Sequence, residues 1–171
     1  MTLSVNTYTM NYSNVVNLSF EDKLRATRLA GYSTLSLMPA DIQFMEQSGR
    51  TLADIRSQAA DNGLRIDRMD PLNTWSRRWV SDNMPDSYTL KTATTAHEFF
   101  RICEGLGCTH ASLNAMFPLN SISQEEITED FITTSKYGAD HGVNIDLQFV
   151  PLWGLPSLEM AFYFSLNCKK N

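Results

Sequence analysis

The sequence has few of the features that mark membrane, secreted or metal-knuckle proteins. None of its apolar runs approaches the roughly 20 residues that a membrane-spanning helix needs, and its first ten residues lack the basic and apolar regions of a signal peptide. It has three cysteines and no CxxC pair, a pattern that favours neither a disulfide framework nor a zinc knuckle. We therefore predict a protein of the reducing cytoplasm with no membrane partner.

Positive charge is also scarce. Fourteen Lys and Arg residues face 19 Asp and Glu residues, which gives a net charge of −5, and no run of basic residues occurs. Because phosphate backbones are bound by clustered Lys and Arg, this balance argues against a nucleic-acid partner. The 171 residues, 43% of them hydrophobic, suit one globular domain with a sizeable core.

A strand pattern and a helix pattern alternate along the chain. Helices are predicted to begin at the N-caps Ser19, Thr51, Thr95 and Ser123 and to end at Gly31, Gly63, Gly107 and Gly142. Thr95–Glu98 and Ser123–Glu126 read as capping boxes, and Thr51–Asp54 resembles one with Asp in place of Glu. The predicted strands, in which apolar and polar residues alternate, are residues 3–8, 33–38, 64–70, 108–115 and 143–149.

Strand-then-helix units of roughly 30–45 residues imply parallel pairing through right-handed crossovers. Most of the strands have one polar face, which an open sheet covered by helices on both sides would not tolerate but a barrel would. We therefore predict an α/β fold of the (β/α) TIM-barrel type, with about five β-α units of an eight-unit barrel. The alternative for the last strand is the solvated face of an antiparallel sheet.

Candidate binding residues lie at the carboxyl ends of these strands, where parallel α/β proteins place their chemistry. Asn114 and Gln148 are predicted to project into the barrel mouth, with polar strand-end filler as the alternative. Asp70 and Trp75 begin an irregular segment, residues 71–90, of a length that is usually functional. Trp75 would wall a sugar pocket or else pack on the third predicted helix. Asn6, on the first strand, is the remaining substrate-binding candidate.

Several motifs together resemble a known family. They are AGYSTLSLMPAD (30–41), SGRTLADI through NGLRI (48–66), DPLNTW (70–75), HEFFRICEGLG (97–107), SLNA (112–115) and HGVNIDLQFVPLW (141–153). Their order and spacing resemble the xylose isomerase-like TIM barrels, the sugar phosphate isomerases/epimerases. The resemblance covers residues 1–164 as a partial barrel, whereas residues 165–171 form a divergent tail.

The resemblance implies a divalent metal (Mn, Mg, Co or Zn) at the top of the barrel. That metal would polarise the oxygens of a small sugar or polyol while carboxylates move a proton at carbon. The family motif on strand five is L-E-F-x-P, and this sequence has Gln148 in place of the glutamate, so Gln148 is the candidate metal ligand. An amide oxygen is neutral and binds a hard cation less well than a carboxylate does. The other family ligands, an Asp, a His and a Glu, would come from strands six to eight.

The family resemblance predicts a sugar phosphate isomerase or epimerase, in a chain that looks truncated after its fifth unit. The alternative is a non-catalytic remnant that holds no metal, or a half-barrel module that binds or associates with another chain. Bare edges on strands one and five would favour self-association. The endonuclease IV branch of the same superfamily is disfavoured because the chain is acidic.

Overall fold

The computed structural model describes residues 9–79 and 85–168. Within them, five parallel strands form one sheet in the order β1-β2-β3-β4-β5. The strands are β1 (Thr9–Met10), β2 (Thr34–Leu37), β3 (Arg65–Leu72), β4 (His110–Asn114) and β5 (Asn144–Gln148). Sequential parallel pairing confirms the predicted α/β class and excludes the antiparallel alternative for the last strand.

Seven α-helices connect and cover these strands within the described ranges. They are α1 (Phe20–Leu29), α2 (Pro39–Gln47), α3 (Leu52–Asp61), α4 (Asp86–Thr92), α5 (Ala96–Leu106), α6 (Gln124–Asp140) and α7 (Leu158–Cys168). No helix in this part of the chain is long and apolar enough to cross a membrane.

The predicted helix N-caps are all present. The hydroxyls of Ser19, Thr51, Thr95 and Ser123 each accept a hydrogen bond from the backbone N–H three residues later. The capping boxes at Thr51–Asp54 and Ser123–Glu126 are complete, because the carboxylate of the last residue also accepts the backbone N–H of the first. The predicted box at Thr95 is only half formed, because the Glu98 carboxylate pairs with Arg101 instead.

Three predicted boundaries compare with the structure in different ways. The predicted strand 3–8 lies outside the described residues, and pairing of the described chain begins at Thr9. The segment 71–90, predicted as irregular, contains α4. Helix α7 runs through the predicted boundary at residue 164 and continues to Cys168.

Two register shifts interrupt the pairing of β3, one opposite Leu35 and Ser36 of β2 and one between Met69 and Leu72. The first decides the face of the sheet on which Arg68 lies. Leu35 pairs with Ile66 and Ser36 pairs with Arg68, so Asp67 is an extra residue in β3. Such a bulge changes the alternation of side chains along the strand. As a result, the side chains of Arg68 and of Asp70, two residues later, lie on the same face of the sheet as Ser36. We call the face that carries Ser36, Arg68, Ser112, Asn114 and Asp146 the polar face.

The hydrophobic core lies between the other face of the sheet and the helices. Its strand residues include Leu35, Leu37, Met69, Ala111 and Leu113, all fully buried. The apolar stripe predicted for α5 is confirmed, since Phe99, Ile102, Cys103 and Leu106 are all buried there. Phe100, also on α5, packs edge-on against Phe99 and Tyr137 at ring separations of 5.5 and 5.3 Å. The core therefore contacts one face of the sheet, and the polar face lies on the other side.

Candidate functional site

The carboxyl ends of three neighbouring strands bring three of the predicted site residues together. Asp70 lies near the end of β3, Asn114 ends β4 and Gln148 ends β5. Asn114 and Gln148 are paired across β4 and β5, and the Gln148 amide lies close enough to Asp70 to affect the pKa of its carboxyl. We call these three residues, together with Asn11, the strand-end cluster.

Asp70 is the buried carboxyl group of this cluster, with only 2% of the residue exposed. Burial raises the pKa of the Asp70 carboxyl, because the charged form loses its hydration. The positive charge of Arg68 and the amides of Asn11 and Gln148 oppose this rise in the pKa without cancelling it. Asp70 is therefore a carboxyl group that accepts a proton more readily than an exposed one would.

Asn11 enters the site from the turn after β1. Its Nδ2 donates to Asp70 Oδ2 at 3.2 Å, while its Oδ1 accepts the backbone N–H of Ser13 at 2.9 Å and so caps a short 3₁₀ turn, Tyr12–Asn14. The local turn therefore fixes the orientation of the amide that binds Asp70. The sequence analysis did not select Asn11, because a polar residue in a loop carries no pairing signal.

Asn114 provides an unused acceptor. The residue is 8% exposed, and its Oδ1 is buried with no hydrogen-bond partner in the described part of the protein. Buried polar atoms are nearly always paired, so an orphaned oxygen at a strand end is an acceptor available to a ligand donor. The binding role of Asn114 and the alternative of polar strand-end filler both stay predictions.

Trp75 is buried and contacts the backbone of Asn114, a member of the strand-end cluster. Its ring packs edge-on against Phe117 and Phe131 and is 6% exposed, and its Nε1 donates to the backbone oxygen of Asn114 at 2.8 Å. The alternative of helix packing describes this arrangement, although the helix is α6 and not the third predicted helix. The sugar-wall role of Trp75 stays a prediction, while its described contacts fix the end of β4.

Replacing Trp75 by phenylalanine is expected to lower the free energy of unfolding by about 1–3 kcal/mol. The substitution removes one of the two donors to the Asn114 carbonyl, since the Met116 N–H remains, and it also replaces a buried indole by a smaller ring. The lost hydrogen bond and the lost packing together cost about that much. Urea denaturation monitored by circular dichroism measures the change. Trp153→Phe is the control, because the described structure gives its indole no hydrogen bond; an equal loss in both variants would contradict the assignment.

Arg68 connects three strands on the polar face, and the sequence analysis did not select it. Its Nη1 donates to Ser112 Oγ at 3.1 Å and to Asp146 Oδ2, so one guanidinium connects β3, β4 and β5. The extra residue Asp67 hid this contact, because simple alternation along β3 places Arg68 on the same face as the apolar Ile66 and not on the face of Ser112. The available signal was an arginine and an aspartate at polar positions of two different strands.

The donor set does not fit a divalent metal. Among the described residues, no three His, Cys, Asp or Glu side chains are grouped closely enough to hold an ion. Gln148 offers a neutral oxygen, and the nearest carboxylate along β5, Asp146, is paired with the guanidinium of Arg68. Hard cations prefer several anionic oxygens, so a fixed guanidinium beside a neutral amide is an unfavourable environment for them. Asn6 lies outside the described residues.

A separate cavity of about 490 Å³ lies between α1 and α2, and it does not include the strand-end cluster. Leu18, Phe44 and Met45 supply apolar walls, and the ion pair between Lys23 and Asp41, 2.7 Å apart, supplies the polar part. The chemistry-bearing residues at the strand ends thus face a different region from this largely apolar cavity.

Three solved structures show what the chain is similar to. They are a xylose isomerase domain containing protein from Salmonella typhimurium LT2 (TM-score 0.73, 16% identity), IolI with a zinc atom (0.72, 17%) and D-psicose 3-epimerase with D-tagatose from Clostridium cellulolyticum H10 (0.65, 13%). The matches cover 99%, 94% and 94% of this chain, and 59%, 58% and 59% of those chains. No family model and no curated protein matches the sequence.

Identities below 20% establish the fold alone, and the chain spans about 59% of the length of the first structure it matches. The five parallel strands, their order and the helices between them agree with the predicted barrel type. The chain therefore has the fold of five β-α units of a TIM barrel, and it is similar in structure to xylose isomerase-like proteins.

Proposed function

We propose that the strand-end cluster binds a small sugar or polyol and moves a proton at carbon, as an isomerase or epimerase does. The observation that carries the proposal is the buried carboxyl of Asp70 beside the unpaired Oδ1 of Asn114. Two structural neighbours described as a D-psicose 3-epimerase and a 3-keto-D-glucoside 4-epimerase support the reaction class. Cytoplasmic location belongs to the same proposal.

The chemistry assigned to the cluster is proton transfer next to a carbonyl. The Asp70 carboxylate takes the proton from a hydroxyl-bearing carbon next to the carbonyl. The electron pair of that C–H bond forms a C=C bond, and the π pair of the carbonyl moves to its oxygen to give an enediolate. Return of the proton to the former carbonyl carbon, with the hydroxyl proton passing to the former carbonyl oxygen, gives an isomer; its return to the original carbon gives either the original sugar or its epimer. A base with a raised pKa suits this step, because its proton affinity is closer to that of the carbon acid.

Hydroxyl groups of the substrate would bind to the amides around Asp70. The orphaned Asn114 Oδ1 accepts a hydrogen bond from a sugar hydroxyl, and Asn11 and Gln148 hold the carboxyl group in place. The family resemblance would put a divalent metal at Gln148, where it would polarise the substrate carbonyl. Because the described donors do not fit such an ion, no step of the mechanism passes through it.

The test is exchange of carbon-bound hydrogen in heavy water. The purified 171-residue chain is incubated with D-fructose, D-tagatose and D-fructose 6-phosphate in deuterium oxide, with and without Mn²⁺, and proton NMR follows the loss of C–H signals. We expect exchange with at least one sugar and a fall of about 10²–10⁴-fold in Asp70→Asn. Glu159→Gln, which changes an exposed carboxylate on α7, should have no effect. Absence of exchange with every sugar would end the proposal.

A second candidate function is self-association, and the exposed face of α7 favours it. Leu158, Phe162 and Leu166 recur every four residues on this helix, and each is about half exposed or more. Contiguous apolar residues at the surface mark interaction sites more often than single ones do. In the described sheet, the adjacent strand β5 has only β4 as a neighbour. We propose a second copy of the chain as the occupant, since a two-fold axis would bury the same apolar stripe from both partners.

Sedimentation velocity over a range of concentrations tests this association. We expect a reversible dimer, and we expect the double variant Phe162→Glu/Leu166→Glu to stay monomeric because the dimer would bury its charges. Leu29→Glu is the control, since Leu29 is an apolar residue on α1 that is even more exposed than Phe162 and Leu166. A monomer at every concentration, or a dimer that persists in the double variant, would contradict the proposal.

A further inference from the structure

We propose that Arg68 binds the carbonyl oxygen of the substrate and stabilises the negative charge that develops there, the role that the family resemblance gives to a metal. This inference rests on the proposed function and names the electrophilic group of the same site. It follows from the position, the free donors and the fixed orientation of the guanidinium.

Arg68 lies two residues before Asp70 on β3, so the two side chains share the polar face. Their charges interact, since Arg68 is the strongest of the influences that lower the pKa of Asp70 against the effect of burial. A substrate carbon that reaches the Asp70 carboxyl would therefore have its neighbouring oxygen within the field of the guanidinium.

The Arg68 guanidinium has N–H groups that donate to no described residue. Of its five N–H bonds, the two on Nη1 are directed to Ser112 and Asp146, while Nε and Nη2 have no partner among the described residues. The side chain is 27% exposed, so solvent reaches it from the polar face. A planar fork with unused N–H bonds is suited to an oxygen that gains negative charge.

The contacts with Ser112 and Asp146 also fix the guanidinium before any ligand binds. Donors that are already oriented toward a developing oxyanion stabilise it without reorganisation, which is the usual source of electrostatic catalysis. A guanidinium keeps its charge at every physiological pH. Arg68 can thus supply the positive charge that enediolate formation needs, whereas Gln148 supplies none.

The test compares a ketose with the polyol that lacks its carbonyl. Saturation-transfer NMR titrations measure the affinities of the full chain for D-fructose and D-mannitol, first in EDTA and then in millimolar Mn²⁺. We expect the wild-type chain to prefer D-fructose by about tenfold or more, which is typical of a hydrogen bond to a charged group. We also expect Mn²⁺ to leave this preference unchanged.

The variant Arg68→Met/Asp146→Asn removes the guanidinium without leaving an unpaired carboxylate. We expect it to bind both compounds about equally while its thermal transition stays cooperative. If it does not fold, Arg68→Lys serves instead and should lower the preference for the ketose severalfold. Ser112→Ala removes one supporting hydroxyl and should keep most of the preference, because Asp146 still orients the guanidinium.

A preference that appears only with Mn²⁺, or that survives loss of Arg68, would overturn the inference and leave the proposed function standing. Binding of neither compound, together with no hydrogen exchange in heavy water, would end both. Hydrogen exchange that requires Asp70 but proceeds equally well in the Arg68 variants would overturn the role of Arg68 alone.

Discussion

Replacing Phe100 by alanine is expected to lower the free energy of unfolding by about 3–5 kcal/mol, the usual cost of removing a buried aromatic ring. Phe100 is fully buried on α5, and its ring stacks on His141 at 5.7 Å in addition to its edge-on contacts with Phe99 and Tyr137. The ring also approaches the site where a Cβ would sit on Gly138 of α6. Its loss would therefore open a cavity between two helices and the sheet.

Urea denaturation at pH 7, followed by circular dichroism, measures this effect. Phe44→Ala is the matched control, because Phe44 is 72% exposed on α2 and its truncation should change the free energy of unfolding by about 0.5 kcal/mol or less. Similar losses in the two variants would contradict the assignment of the core to the space between α5, α6 and the sheet.

Replacing Asp70 by asparagine is expected to stabilise the protein at pH 7 while it removes the proposed proton transfer. The wild-type fold holds a buried carboxyl whose pKa is raised, so ionisation at neutral pH weakens the folded state relative to the unfolded one. Asparagine has nearly the same shape, carries no charge and can still accept the hydrogen bond from Asn11. Stability gained at the expense of activity is the signature of a functional polar group.

The stability that Asp70→Asn gains over the wild type should depend on pH, because the pKa of the Asp70 carboxyl is raised in the folded state. Below the ordinary pKa of an aspartate, near 3.8, Asp70 is protonated in both the folded and the unfolded chain and costs nothing. As the pH rises from there to the raised pKa of the folded state, the unfolded chain releases its proton first, and the wild-type protein loses stability. The advantage of Asp70→Asn should therefore be absent at low pH and fully present above the raised pKa.

Urea denaturation of both proteins at a series of pH values checks this expectation. Asp54→Asn is a control of opposite sign, because the capping hydrogen bonds from Thr51 lower the pKa of Asp54. That variant should be less stable than the wild type at pH 7, and the difference should shrink as the pH falls. A wild-type protein that is more stable than Asp70→Asn at neutral pH would refute the inferred burial of the charge.

The helices were predictable from the sequence because their signals are local. A Ser or Thr cap satisfies backbone N–H groups within its own turn, and glycine at the helix end permits a left-handed residue such as Gly107, with φ of 75°. Both signals need only a few consecutive residues. The four capped helices were therefore located to within about one residue at their starts, whereas α4, which has no side-chain cap, was missed.

The site was predictable only in part, because its contacts join distant parts of the chain. Asp70, Asn114 and Gln148 were found since each stands near the end of an apolar strand pattern. Arg68 and Asn11 were missed, because their partners lie 78 and 59 residues away, at Asp146 and Asp70. Trp75 was selected for its loop position, but burial against Phe117 and Phe131 depends on helix packing that a sequence pattern does not reveal.

Asp67, the extra residue of β3, decides which side chains of this strand lie on the polar face. Adding or removing one residue there would therefore change the groups that this face presents. Deleting Asp67 would remove the first of the two register shifts in β3, but it would also reverse the direction of either Arg68 and Asp70 or the apolar residues before them. The first outcome would drive two charged groups into the core, and the second would expose Ile66. A single deletion in this strand should thus be far more harmful than almost any substitution, and homologous chains should differ here by residue type and not by length.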